Sequence, residues 1–325
     1  MITPNGAPSS AAPDSGSIEG EPAMPAPLPR QGIRSLAAKP PLCDVASGAD
    51  PTPFRIRAGE VELHYIEKGC GHPLILLHGG TGDYRAWLSH LDCFAGDYRV
   101  IAYSRRHSFP NTNGPAVSNY SAIVDAGDLG SLLRRLDIDS AHLVGTSYGA
   151  LTALTLATRD PARVRSLVLA EPPLHAWLEA MPCGKKVYQD FIRRTWEPAR
   201  TAFRANRTGE AMKILVDGFA GCPRFDDLST EARNGVMENA AGMAALVLST
   251  DAFPCLAPHL LRPLHMPVLV VGGEHSTPIH KLGREELLRA LPHAAHLIVP
   301  GAGHALAQEK PDVFAAAVLA FVADA

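Results

Sequence analysis

Ser147 is the residue of this chain whose surroundings best suit nucleophilic chemistry. It lies in the pentapeptide Gly145–Gly149, after the apolar run Ala141–Val144 and before a helix-like run that begins at Tyr148. The pattern G-x-S-x-G between a strand and a helix is typical of a nucleophile elbow, a sharp turn whose small residues leave the serine hydroxyl exposed. The backbone N–H of Tyr148 would then lie at a helix N-terminus, where it can stabilise a developing oxyanion.

Two glycine-rich loops supply the other groups that such a serine needs. The loop His78–Gly82 follows an apolar strand, so we expect the N–H of Gly80 to provide a second oxyanion donor. The loop Pro300–His304 follows another strand and ends in a histidine that can accept the serine proton. We predict His304 as the base, and we expect His78 to shape its own loop instead of transferring protons.

Strand-like and helix-like segments alternate from Phe54 onward, and they must position these loops. Several strand-like runs are continuous Leu, Ile and Val, as expected for strands covered on both faces. Strands that alternate with helices predict a mostly parallel sheet in an α/β fold. The predicted strands are Val61–Ile66, Pro73–Leu77, Arg99–Tyr103, Ala141–Val144, Arg165–Ala170, Pro267–Val271 and His296–Val299. The predicted helices are Ser121–Leu136, Tyr148–Thr158, Lys281–Leu291 and Asp312–Val322.

One long segment interrupts the alternation and predicts a helical cap. Residues 173–262 contain no convincing buried strand, and their apolar spacing predicts amphipathic helices inserted between two core strands. We therefore expect a core formed by residues 53–172 and 263–325. Residues 1–52 are rich in Pro, Ala, Ser and Gly and are expected to form a disordered extension. The predicted cap helices are Lys185–Thr195, Pro198–Asn206, Glu210–Gly218 and Glu231–Leu248.

The order of these motifs resembles the α/β-hydrolase superfamily. The elbow, the H-G-G loop, the helical insertion and the terminal G-x-G-H motif follow one another as in that family, over residues 54–325. The resemblance implies an α/β-hydrolase fold with a mostly parallel, doubly covered sheet, a helical cap and a catalytic triad. It does not specify the substrate, because this fold hosts many chemistries. Haloalkane dehalogenases and epoxide hydrolases of similar fold need an aspartate nucleophile, so Ser147 excludes those two activities.

The acid of the implied triad departs from the family's common pattern. In most α/β-hydrolases it is an aspartate just after the strand that matches Pro267–Val271, where this chain has Ser276. Some members, including many haloalkane dehalogenases and the zearalenone lactonases, carry the acid after the first strand that follows the elbow helix, and Glu171 stands there. We predict Glu171 as the acid that orients His304. Glu274 and a dyad without an acid remain the alternatives.

Substrate-facing residues are predicted more loosely. Tyr84 and Trp87 follow the oxyanion loop, and Trp177 lies in the inserted helices, so these aromatic side chains are candidates for an apolar substrate pocket. For each of them, packing against the core is the competing interpretation. Arg105 and Arg106 follow another strand, and a cation there could bind a substrate carboxylate, although a salt bridge inside the loop is favoured.

Composition and charge exclude several other classes of protein. The 325 residues are 46% hydrophobic and carry a formal net charge of −3, which gives no basic footprint for nucleic acid. No apolar run could span a bilayer, and the N-terminus lacks the pattern of a secretory signal. The six cysteines form no C-x-x-C pair, and the histidines do not show the spacing of metal ligands, so we expect no metal and no cofactor. Scattered cysteines of this kind fit a reducing, cytoplasmic setting.

These observations predict a serine hydrolase with a small-molecule substrate. The expected reaction is cleavage of a carboxylic ester or lactone through an acyl-enzyme on Ser147. Two alternatives remain: hydrolysis of a carbon–carbon bond in a diketone-like metabolite, and a non-catalytic small-molecule receptor on a hydrolase scaffold. No membrane or nucleic-acid partner is expected, and the sequence leaves open whether the chain works alone or as a homodimer.

Overall fold

An eight-stranded sheet organises residues 51–325, the part of the chain that this computed structural model describes. The strands are β1 (Phe54–Ala58), β2 (Val61–Lys68), β3 (His72–Leu77), β4 (Tyr98–Tyr103), β5 (Ala141–Thr146), β6 (Val164–Ala170), β7 (Val268–Gly273) and β8 (Ala295–Val299). Their order across the sheet is β1-β2-β4-β3-β5-β6-β7-β8, in which β1–β2 and β2–β4 pair antiparallel and the other neighbours pair parallel. The predicted mostly parallel sheet is confirmed.

Helices cover both faces of this sheet. Alternate residues of β3 point to opposite sides. Ile75 and Leu77 join one apolar cluster with the helices Ala122–Arg135 and Tyr148–Arg159, while Leu74 and Leu76 join another with the helices Leu88–Phe94 and Pro311–Ala323. Burial on both faces explains why the central strands read as continuous apolar runs. The helices are α1 (Leu88–Phe94), α2 (Ala122–Arg135), α3 (Tyr148–Arg159), α4 (His175–Ala180), α5 (Pro182–Phe191), α6 (Glu197–Arg204), α7 (Thr208–Ala220), α8 (Thr230–Glu238), α9 (Ala240–Val247), α10 (Pro278–Ala290), α11 (Leu306–Glu309) and α12 (Pro311–Ala323).

The segment between β6 and β7 is helical, from α4 to α9. A short π-helical stretch, Ile192–Trp196, joins α5 to α6. The single helix expected over Glu231–Leu248 is wrong, because the chain forms two helices that meet at Asn239. The Asn239 side chain bonds to the N–H of Phe109 and to Asp83, and these distant contacts fix the break. That this segment acts as a separate cap remains a prediction.

Two further expectations concern the N-terminal extension and membrane-spanning helices. The disordered extension predicted for residues 1–52 falls outside the described residues, apart from its last two positions. Within residues 51–325, no helix combines the length and the apolar character needed to cross a membrane.

Several buried histidines have a pKa that burial lowers. A neutral imidazole tolerates an apolar setting better than an imidazolium, so these side chains stay neutral in the folded protein. In the unfolded chain they bind protons below a pH of about 6.5, so the free energy of unfolding falls as the pH drops below that value. The pKa falls to about 3 for His78 and His175, to about 4 for His90 and His142, and well below its usual value for His280.

Replacing His90 with phenylalanine should make the fold less sensitive to acid. His90 is fully buried and stacks on Phe94, with Trp87 and Phe314 at its edges, so a phenyl ring suits the same space. A histidine whose pKa falls to about 4 costs the folded state about 2 kcal/mol at pH 5 relative to pH 7.5. Urea unfolding at both pH values should show that much less acid destabilisation in His90→Phe. An equal loss in both proteins would contradict the buried, neutral state of His90.

Candidate active site

The turn between β5 and α3 holds Ser147 in a strained backbone conformation. Its φ is 50° and its ψ is −119°, a geometry that non-glycine residues adopt only when their surroundings impose it. A Cβ on Gly145 would lie 2.6 Å from the Ala150 backbone, and a Cβ on Gly149 would lie 2.3 Å from the Leu77 carbonyl oxygen. Both glycines of the pentapeptide are therefore required by the turn itself.

Three of the predicted residues form one hydrogen-bonded line. His304 Nε2 lies 3.0 Å from Ser147 Oγ, and His304 Nδ1 lies 2.7 Å from Glu171 Oε2. An ionised carboxylate can only accept a hydrogen bond, so Nδ1 carries the ring proton and Nε2 is free to accept from the serine hydroxyl. Ser147, Glu171 and His304 are far apart in sequence, but they meet because each follows the C-terminal end of a strand: β5, β6 and β8, respectively. This is the arrangement that nucleophilic catalysis requires.

Glu171 is buried, and several donors keep it ionised. The N–H of Gly273 donates to Oε1 at 2.9 Å, and the guanidinium of Arg284 lies 3.4 Å from the same oxygen. Burial opposes the charge, but the hydrogen bond and the charge interaction with His304, together with the bond from the Gly273 N–H, outweigh it and lower the pKa of Glu171 below its usual value. The residue also adopts a positive φ of 50° directly after β6. The environment thus holds a charged carboxylate behind the histidine.

The two other positions considered for the acid have different surroundings. Glu274 is exposed, and its Oε2 accepts a hydrogen bond of 2.8 Å from the N–H of Gly301, at the start of the loop that carries His304. Ser276 is buried beside the Glu171 carboxylate. Residue 276 therefore borders the pocket that holds the Glu171 carboxylate, but the charge in that pocket comes from Glu171, at the end of β6.

The loop that holds Gly80 is fixed by a buried hydrogen-bond chain. The N–H of Arg105 donates to His78 Nε2 at 3.0 Å, so His78 Nδ1 carries the proton and donates to the Gly79 carbonyl at 2.7 Å. A trans peptide directs its N–H opposite to its C=O, so the Gly80 N–H points away from that carbonyl bond. Tyr148 begins α3, and its N–H has no acceptor within the helix. The roles of Gly80 and Tyr148 as oxyanion donors stay predictions.

The guanidinium of Arg105 also binds the loop that holds Gly80. Its Nη2 donates to the carbonyl oxygens of Gly79 and Gly80 at 3.2 and 3.3 Å, and its Nη1 lies 3.0 Å from Asp125. Because Arg105 is fully buried and already paired, it is not available to a substrate carboxylate. Arg106 is similarly paired with Asp128 at 2.6 Å, so the favoured salt-bridge interpretation of this dipeptide holds.

The helical segment contacts this loop directly. A Cβ on Gly80 would lie 2.8 Å from Met243 Sδ of α9, so Gly80 leaves room for a side chain that covers the loop. The Asn239 amide donates to Asp83 Oδ2 at 2.7 Å, which attaches the α8–α9 junction to the end of the same loop. These contacts place α9 over the predicted oxyanion site.

The three aromatic residues predicted to face a substrate are all buried. Trp87 is fully buried and packs against Phe314 of α12, so its ring presents no surface to a ligand. Trp177 donates its indole N–H to the Leu256 carbonyl at 2.6 Å, and Tyr84 is 6% exposed. Packing accounts for Trp87, and the indole hydrogen bond to the backbone accounts for the orientation of Trp177.

A different set of side chains surrounds His304, and sequence reasoning missed most of it. The ring of His280 stacks on that of His304 with centroids 3.6 Å apart and planes within 4°. Phe219 of α7 lies 6.3 Å from His304, centroid to centroid. His175 of α4 contacts Phe253 at 4.4 Å and extends the aromatic surface. The sequence did offer one signal: His280 and Arg284 are four residues apart, which places them side by side on one helix.

The site contains one group of residues that could ligate a metal. Single ligand atoms of Glu171, His280 and His304 lie within 4.8 Å of one another. However, both ring nitrogens of His304 already bond to Ser147 and Glu171, and the two stacked rings direct their nitrogens along parallel planes. The donors therefore suit a proton-transfer line better than a metal.

The family of the chain follows from comparison with known proteins. The family model of the alpha/beta hydrolase fold matches residues 72–311. This chain belongs to the alpha/beta hydrolase family. The match includes the elbow, both glycine-rich loops and the segment between β6 and β7, so the family predicted from the motifs is confirmed.

Similar proteins act, by name, on different substrates. The 2-(acetamidomethylene)succinate hydrolase of Mesorhizobium japonicum is 24% identical over 275 residues, which cover 82% of this chain and 94% of the relative. The 2-hydroxy-6-oxo-6-(2'-aminophenyl)hexa-2,4-dienoic acid hydrolase of Metapseudomonas resinovorans is 26% identical over 281 residues, 82% of this chain and 89% of the relative. The solved structure of Est816, an N-acyl homoserine lactone degrading enzyme, has a TM-score of 0.66 at 22% identity and covers 82% of this chain and 100% of that chain. Family membership thus supports a hydrolase without specifying the bond.

Removing the charge of Glu171 should abolish most turnover. Glu171→Gln keeps the shape but loses the charge that fixes the His304 tautomer, and in serine proteases the equivalent loss costs on the order of 10⁴ in kcat. Glu274→Gln is the matched control, because that exposed carboxylate accepts from the Gly301 N–H, lies 3.9 Å from the exposed ring of His275 and does not bond to His304. Steady-state hydrolysis of an activated ester by both variants tests the assignment. A large loss in Glu274→Gln with full activity in Glu171→Gln would reverse it.

A carboxylate restored from the neighbouring loop should rescue part of that loss. Ser276 borders the Glu171 carboxylate, so an aspartate at 276 can approach the same nitrogen of His304, Nδ1. We expect Ser276→Asp to raise kcat at least tenfold in the Glu171→Gln background, and to lower it in the wild-type background, where two buried carboxylates would repel. Failure of the double variant to exceed Glu171→Gln in a folded protein would contradict this geometry.

Proposed function

We propose that this protein is a serine hydrolase that cleaves an uncharged carboxylic ester or lactone through an acyl-enzyme intermediate. The observation that carries the proposal is the unbroken hydrogen-bonded line Ser147–His304–Glu171, with bonds of 3.0 and 2.7 Å. A serine hydroxyl is a weak nucleophile unless a neighbouring base removes its proton. The line provides that base and the acid that orients it.

The proposed reaction has two halves that use the same groups. His304 Nε2 takes the proton of Ser147 as Oγ attacks the substrate carbonyl, and the negative oxygen is stabilised by the N–H groups of Gly80 and Tyr148. Collapse of this intermediate breaks the acyl–oxygen bond, and His304 gives its proton to the departing alkoxide. A water then loses a proton to His304 and attacks the acyl carbon, which releases the carboxylic acid and returns the proton to Ser147.

The charges around the site favour an uncharged substrate. The arginines near the site are already paired: Arg105 with Asp125, Arg106 with Asp128 and Arg284 with Glu171. The rings that face His304 are those of Phe219 and His280, and burial keeps His280 and nearby His175 neutral. The two relatives compared above act, by name, on a succinate and on a dienoic acid, which carry carboxylates. The alternative function, hydrolysis of a carbon–carbon bond in such an acid, therefore has less support for this chain.

A non-catalytic receptor also has less support. Binding alone does not require a strained serine backbone, which carries an energetic cost. Here Ser147 and Glu171 both adopt a φ of 50°, at the ends of neighbouring parallel strands. Strain at these two positions favours catalysis.

A reducing, cytoplasmic setting completes the proposal. Cys70, Cys183, Cys222 and Cys255 are free and exposed thiols, which persist most readily where glutathione and thioredoxin keep cysteines reduced.

A pair of esters that differ only in charge tests the proposal. p-Nitrophenyl butyrate and p-nitrophenyl hemisuccinate share a leaving group and acyl length, but the second carries a carboxylate. We expect turnover of the butyrate and of uncharged lactones, and kcat/KM at least tenfold lower for the hemisuccinate, because Arg105, Arg106 and Arg284 are already paired with carboxylates and do not offset its desolvation. Ser147→Ala is the control and should release no product above background. Turnover that survives in Ser147→Ala, or a preference for the anionic ester, would contradict the proposal.

A further inference from the structure

The imidazole of His280 covers one face of the His304 ring. Their centroids lie 3.6 Å apart and the planes differ by 4°, which is full face-to-face overlap of two rings. His280 is itself fixed, because its Nδ1 lies 2.9 Å from the hydroxyl oxygen of Thr277 and its side chain is buried in the first turn of α10. The fixed ring of His280 therefore lies against the ring of His304, whose own loop contains two glycines, Gly301 and Gly303.

We propose that His280 is a positioning residue for His304: its neutral ring holds the base flat between Ser147 and Glu171 and stabilises the imidazolium that forms during the reaction. This inference rests on the proposed function. When His304 takes the serine proton, a cation forms directly over the π face of His280. A cation over a neutral aromatic ring is attracted to it, and the attraction grows when water is excluded.

The surroundings of His280 keep its ring neutral, which the role requires. A second cation at this distance would repel the imidazolium instead of stabilising it. Burial lowers the pKa of His280 well below its usual value, and the neighbouring positive groups lower it further. The titratable and charged groups that face it are Arg284 from its own helix, Glu171 after β6, His175 from α4 and His304 after β8.

The contribution is distinct from that of Glu171. Glu171 fixes the ring through one nitrogen and can leave it free to tilt about the N–O axis, whereas a stacked ring opposes that tilt. Phe219, on α7, lies 6.3 Å away in a tilted arrangement, too far for the same overlap. His280 is thus the described residue that can hold the plane of the base.

Two substitutions of His280 separate stacking from other roles. His280→Phe keeps a flat aromatic face without a nitrogen, and His280→Leu keeps bulk without a π face. We expect kcat for p-nitrophenyl butyrate to stay within about threefold in the Phe variant and to fall about 3- to 30-fold in the Leu variant, with KM little changed. The acid limb of the kcat/KM profile should move to lower pH in the Leu variant only, because the protonated base loses its partner.

Two controls keep the test independent of folding. Thr277→Val removes the hydroxyl that fixes His280 and should give a smaller change in the same direction. His293→Leu, an exposed histidine after α10, should leave rate and profile unchanged. Rates are expressed per active site titrated with a fluorophosphonate, so a loss of folded protein alone does not alter them.

A spectroscopic measurement gives a readout without any substrate. The proton between His304 Nδ1 and Glu171 should give a downfield NMR resonance that is sharp in the wild type and in His280→Phe, and broadened in His280→Leu. Equal rates and profiles in the Leu variant and the wild type would overturn the inference, as would a Phe variant as slow as the Leu variant. A wild-type protein that neither turns over esters nor reacts with the fluorophosphonate would instead overturn the proposed function.

Discussion

The hydrogen-bonded position of one imidazole, that of His304, is the constraint on which the rest of the site depends. Its two nitrogens must meet Ser147 and Glu171, which follow two different strands, while the histidine itself follows a third. A parallel sheet satisfies this because the C-terminal ends of β5, β6, β7 and β8 lie side by side at one edge. The order of the strands brings three distant segments of chain within hydrogen-bond distance.

Convergence at that edge demands backbones that approach closely, and this accounts for the glycines of the site. A Cβ on Gly273, at the end of β7, would lie 2.3 Å from the carbonyl oxygen of Gly303, just before the histidine. A Cβ on Gly272 would lie 2.1 Å from the Arg284 guanidinium. The same close packing explains how a buried carboxylate is tolerated: the glycine N–H and the arginine reach Glu171 where a larger residue would block them.

Local signals made the elbow, both glycine-rich loops and Glu171 predictable, because each stands directly after an apolar strand. Strand β1 was missed, since its charged residues Arg55 and Arg57 obscure an apolar pattern at the edge of the sheet. Contacts across long stretches of sequence left no local trace. The break at Asn239 depends on Asp83, 156 residues earlier, and the Arg284–Glu171 pair spans 113 residues. Residues that support the triad were therefore visible only once the chain was folded.

Covalent trapping of the nucleophile tests the central claim most directly. The full-length protein is treated with a fluorophosphonate, and the modified peptide is identified by mass spectrometry while the rate of modification is followed over time. If the line Ser147–His304–Glu171 activates the serine, the label resides on Ser147 alone, and its rate falls by orders of magnitude in His304→Ala and in Glu171→Gln. Labelling at another residue, or labelling of Ser147 at the same rate in all three proteins, would contradict it.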